Sequence, residues 1–250
     1  MIGIPDVQAW HRTLLVGSVL LVSLAAWVSL WQFGAALHSP VHHHGTASGS
    51  GVALLFVGSW TVMTVAMMLP TSVPIVATVQ TLAGERPDRP LLMTLVVIGY
   101  LAVWAAVGIV FYVGGVLIER AVTMSTWLQQ HSGASSGAIL LLAGVYQFTP
   151  LKHRCLEKCR SPLTFVLSYW QGQHDRRNAF RLGAHHGLFC VGCCWALMLL
   201  MFVVGVGNVA WMLLLGAIMA VEKNVSWGRR LSAPLGGLLV AAGLGVLIVA

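Results

Sequence analysis

Three of the chain's five cysteines stand within five residues, in Cys190-Val191-Gly192-Cys193-Cys194. The other two, Cys155 and Cys159, are four residues apart in the polar segment upstream. A helix turns about 100° per residue, so Cys190, Cys193, Cys194, Met198 and Met201 share one stripe about 140° wide. One buried cysteine reads as a small hydrophobe, but sulfur gathered at this density points to soft-metal binding or thiol redox chemistry. His185 and His186 precede the thiols and are placed to complete a coordination sphere. Upstream, Met67 and Met68 stand beside Pro70 and Pro74. Proline cannot donate to the helix ladder, so Pro70 should free the carbonyl of Ala66 and put opened backbone beside thioethers. Glu222, followed by Lys223, closes an apolar run and adds a candidate metal ligand, proton acceptor or partner of Lys223.

The elements that carry these residues are dictated by hydrophobicity. The chain has 250 residues, 58% of them apolar and 8% charged, against roughly 25% charged in soluble domains. Long uncharged runs predict an all-α fold, a polytopic membrane helical bundle of about seven transmembrane helices. The expected spans are 13–33, 52–82, 91–118, 136–150, 188–206, 208–221 and 234–250, in a single membrane-embedded domain 1–250. The first run exceeds a signal-peptide core of roughly 7–15 residues and reads as a retained span. Of the fourteen Lys and Arg residues, all but Arg120 fall in alternate connecting segments beginning with the N-terminus. By the positive-inside rule the N-terminus is then cytoplasmic and the C-terminus exported. The net charge of +7 is thereby a topology signal, and nucleic acid is not an expected partner.

That orientation gives each motif a side. The loop 34–51, with His38 and His42–His44, is exported; the loop 151–187, with Cys155 and Cys159, is cytoplasmic. All five thiols then lie near the reducing face, where structural disulfides are rare and ligation by thiolates is favoured. The segment 161–170 is too short to cross and reads as an interfacial or re-entrant helix.

Several pieces resemble a family of uncharacterised bacterial integral membrane proteins described as predicted metal-binding. They are Met67-Met68-Leu69-Pro70 with Pro74; Tyr146-Gln147 running into Leu151-Lys152 and Cys155-Leu156-Glu157-Lys158-Cys159-Arg160-Ser161-Pro162; Gly187 with Cys190-Val191-Gly192-Cys193-Cys194-Trp195 and Leu197-Met198; and Trp211-Met212 leading to Glu222-Lys223. The resemblance runs from about residue 52 to 224. It implies a multi-pass protein of the bacterial inner membrane that meets a metal ion and the lipid bilayer. It supplies no established activity, and the histidine-rich loop is not part of it.

Residue chemistry and resemblance together lead to a metal-handling protein whose ligand candidates are Cys155, Cys159, Cys190, Cys193, Cys194, Glu222, His185, His186, Met67, Met68, Met198 and Met201. Sulfur donors rank Cu(I) first and Zn(II) second. A transport, delivery or metallochaperone role is expected, with thioethers forming a ladder across the bundle to the cysteines. The candidate partners are a soluble metallochaperone or a larger membrane complex. The alternatives are a membrane thiol oxidoreductase coupled to quinone, since Cys190 and Cys193 have CxxC spacing, and a metal-stabilised accessory subunit. No catalytic set stands out, and with no GxxxxGK[ST] motif present, ATP-driven pumping by this chain alone is not expected.

Overall fold

A computed structural model describes residues 4–42, 49–84, 86–126, 129, 132–169, 175–205 and 208–249. Among them the secondary structure is entirely helical: α1 (Ile4–His42), α2 (Gly49–Met67), a 3-10 turn (Pro70–Ser72), α3 (Val73–Ala83), α4 (Arg89–Met124), α5 (Ser132–Tyr146), α6 (Pro150–Arg160), α7 (Pro162–Tyr169), α8 (Asp175–Val204), α9 (Val209–Asn224), a second 3-10 turn (Gly228–Leu231) and α10 (Ser232–Val249). Proline marks many of the starts, standing in the first turn of α3, α4 and α6, where its missing N–H is not needed. The Thr149 hydroxyl caps α6 by accepting from the Lys152 amide, and the Asn208 side chain caps α9 by accepting from the Trp211 amide.

Four helical stretches are long and apolar enough to cross a membrane: Thr13–Gln32, Arg89–Met124, Asp175–Val204 and Gly228–Val249. Two bent pairs, Gly51–Met67 with Pro70–Ala83 and Gly133–Tyr146 with Pro150–Arg160, raise the number to six if each is one span. The expected seventh does not qualify: α9 has 16 residues and at 1.5 Å per residue reaches about 24 Å, short of the roughly 30 Å hydrocarbon core. Apolar side chains such as Leu21, Val110 and Ile248 face outward, while Lys152, Glu222 and Lys223 are buried.

Element boundaries depart from expectation where prolines or amphipathic turns interrupt. The expected span 52–82 is two helices bent by 52°, because Pro70 and Pro74 each remove a ladder donor. The carbonyl of Ala66 is released as expected, and α1 satisfies it: Ser23 Oγ and Trp27 Nε1 donate to it at 2.8 and 3.1 Å. The expected span 136–150 ends at Tyr146, and α6 turns away by 63°. The expected loop 151–187 is largely helical, holding α6, α7 and the first turns of α8, which starts at Asp175 rather than 188. Similarly, the loop 34–51 is shortened by α1 running to His42 and α2 starting at Gly49. His43 and His44, with the side chains of His38 and His42, lie outside the described residues.

The α4–α8 pair forms the spine and depends on glycine. A Cβ on Gly183 would lie 2.0 Å from the Val96 carbonyl oxygen, and one on Gly99 2.2 Å from that of Phe180. Small residues of this kind let membrane helices approach backbone to backbone. Outside the apolar region, Arg86 joins the α3–α4 turn to the start of α8 by pairing with Asp175 and, at 3.0 Å, with Asp88. Its guanidinium pKa is raised above the ordinary value, first by the Asp175 hydrogen bond and then by the Asp88 one.

Candidate metal centre

The cysteine stripe of α8 faces the bundle interior. Cys190, Cys193, Cys194, Met198 and Met201 are all buried, in one apolar cluster with Met67, Met68, Met212 and Met219. Helical geometry turns two thiols back on one acceptor: Cys193 and Cys194 both donate to the Cys190 carbonyl, at 3.1 and 2.8 Å. Two further elements bring sulfur to this stripe.

The first is α6. Tyr146 donates its hydroxyl to the Gly192 carbonyl and its ring meets Trp195 edge-on at 5.0 Å, seating the α5–α6 corner against α8. Cys155 then lies over Gly192, so close that a Cβ there would stand 2.6 Å from its sulfur. One turn further on, Cys159 Sγ lies 4.0 Å from Cys193 Sγ. The second element is the break after α2, which puts the Met68 thioether 3.9 Å from Cys194 Sγ.

Those separations can be tested against a metal. With metal–sulfur bonds of about 2.3 Å, sulfurs 4.0 or 3.9 Å apart subtend an angle of about 120° at a shared ion. Each pair therefore has the bite of a trigonal or tetrahedral centre. Among the described residues, no group of three His, Cys, Asp or Glu side chains is arranged to hold a metal ion. The arrangement offers paired soft donors, thioether included, rather than a closed cage of hard and borderline ligands. Soft pairs suit Cu(I) better than Zn(II), whose structural sites want four ligands.

The remaining sequence candidates fall elsewhere. His186, one turn before Cys190, hydrogen-bonds Ser72 Oγ through Nε2 at 3.2 Å and stacks on Tyr100 at 5.4 Å; its Nδ1 is buried with no partner. His185 packs on Tyr169 of α7. Glu222 is turned from the sulfurs: its carboxylate takes Lys152 Nζ at 2.7 and 2.9 Å and the Ser232 hydroxyl at 2.7 Å. Gln147 also accepts from Lys152, and Arg160 donates to the Glu222 carbonyl. Met67 packs against Gly216 of α9.

Sequence reasoning overlooked the group nearest the thiols. The Lys223 ammonium is buried, 3.0 Å from Cys190 Sγ, 3.4 Å from Met68 Sδ and 3.5 Å from Thr71 Oγ1. The Tyr100 hydroxyl meets the same Cys190 sulfur at 3.1 Å. By charge pattern alone Lys223 reads as one more basic residue flanking a span. Its signal was its position directly after Glu222 at the C-terminal end of an apolar helix, where both ionisable groups cannot face lipid cheaply. Tyr100 gave none beyond being polar-tipped in an apolar run.

No curated protein and no solved structure matches the chain. A family model described as PpoB2, copper chaperone, matches residues 57–246.

Proposed function

The chain belongs to the PpoB2 copper chaperone family, and from that premise we propose that it holds Cu(I) as cargo on sulfur in the core of a bacterial inner-membrane bundle. The observation that carries the reading is the pair of sulfur contacts flanking one helix, Cys159 with Cys193 and Cys194 with Met68. Each pair spans the width of one ion, and the two are served by adjacent residues of α8. Cargo can step from one pair to the other by exchanging a single donor at a time, which avoids releasing a bare charge into hydrocarbon. Buried Met198, Met201 and Met212 continue the soft lining beyond Cys194, as a thioether ladder requires.

The topology proposed with it has seven spans, the N-terminus and the cysteine side cytoplasmic and the C-terminus exported. In that frame α9 is a short span whose charged end stays inside protein rather than lipid. Delivery is to a soluble metallochaperone or a larger membrane complex. Cys155, which lies over Gly192, and His186 with its free Nδ1 are reserve donors on either side of the stripe.

The test is elemental analysis of detergent-purified protein loaded with Cu(I), wild type against the Cys190→Ser/Cys193→Ser/Cys194→Ser variant. Wild type should retain copper through desalting and the variant should not. Equal copper in both would sink the proposal.

A further inference from the structure

Lys223 is an odd neighbour for a cation-binding site. It brings a fixed positive charge into the donor set, with Cys190 Sγ, Met68 Sδ and Thr71 Oγ1 around its ammonium. Its sequence neighbour does not cancel it, because the Glu222 carboxylate is taken up by Lys152 and Ser232. The positive charge is therefore answered by sulfur and hydroxyl alone among the contacts it makes.

We propose that Lys223 makes this site discriminate soft metal ions by charge, admitting monovalent ions and rejecting divalent ones of equal softness. The inference rests on the copper-cargo reading above and names what sets its selectivity. An ion shared by Met68 and Cys194 lies about 2.3 Å from the thioether sulfur, and that sulfur is 3.4 Å from the ammonium. The two cations are thus no more than about 6 Å apart. At an effective dielectric of about 20, each unit of charge on the ion then lowers affinity about a hundred-fold. A monovalent ion meets this penalty once and a divalent ion twice, whatever its preference for sulfur.

Softness and charge are separated by comparing Ag(I) with Cd(II), both thiophilic, in competition titrations on the detergent-purified full chain. Lys223→Leu removes the charge and adds no metal donor to the sulfur-rich pocket; Lys223→Gln serves as a second neutral variant. The ratio of Ag(I) to Cd(II) affinity should fall about a hundred-fold from wild type to either variant. Ratios within about threefold of wild type in a folded variant would overturn the proposal, since the calculated repulsion is far larger. If wild type and variants alike fail to bind Ag(I) and Cu(I), the copper-cargo reading itself falls, which is a different result from an unchanged ratio.

Discussion

Replacing Glu222 by Leu should be among the most damaging single changes to the stability of this protein, and the structure gives the size of the effect. Lys152 is wholly buried and Glu222 nearly so, with Nζ held at 2.7 Å. Removing the carboxylate leaves an ammonium in the interior with the Gln147 amide oxygen as its remaining partner. Breaking a buried pair in this way costs about 3–5 kcal/mol, and the Gln147 contact sets the expected value near the lower end. The Ser232 hydroxyl, also fully buried, loses its acceptor and adds about 1 kcal/mol. The total is about 4 kcal/mol. Lys152→Met strands the carboxylate instead and should cost a similar amount. The double variant removes both charges together, and replacing a buried pair by apolar side chains is often neutral, so it should lie within about 1 kcal/mol of wild type. Unfolding of the detergent-purified protein, followed by tryptophan fluorescence during denaturant titration, measures all three. If the double variant loses as much as the two singles combined, or if Glu222→Leu costs under about 0.5 kcal/mol, the carboxylate and ammonium do not depend on each other and the reasoning fails.

The α4–α8 spine makes a steric prediction. Gly183→Ala puts a methyl 2.0 Å from the Val96 carbonyl oxygen, so the helices must part by about 1 Å, at a cost of about 1–3 kcal/mol, and the Tyr100–Cys190 contact should loosen with them. Gly115→Ala meets nothing within 4 Å and is the control; equal stability of the two variants would refute the close crossing. Topology is checked by labelling on intact cells: single-cysteine probes in 165–180 should be silent to an impermeant reagent and probes in 40–50 reactive, and the reverse pattern would overturn the orientation.

The sulfur stripe was legible because a helix's angular step is fixed: once α8 forms, Cys190, Cys194 and Met201 have to share a face, and all three are buried. The break at Pro70 was legible for a similar reason, since a missing N–H is a local fact. What lay beyond reach were partners chosen by tertiary packing. Nothing local says that Lys152 crosses to Glu222 while Lys223 turns to Cys190, because hydropathy scores both lysines alike as cytoplasmic anchors. Within 151–187 a short helix was legible over 161–170, where α7 stands, whereas α6 and the start of α8 were not, because those stretches are polar and hydropathy detects lipid-compatible runs rather than helicity. Hydropathy is equally silent on length: α9 is apolar enough to suggest a crossing, yet it has only 16 residues.

One consequence of the break after Met67 concerns what holds it in place. The Ala66 carbonyl next to the broken turn is met by two donors, Ser23 and Trp27, both on α1. The family match begins at residue 57, so the brace and the part it steadies belong to different portions of the chain. Stiffness at Met68 is then a property lent from outside the shared region. Two relatives with the same break but different first helices would hold the same thioether with different firmness.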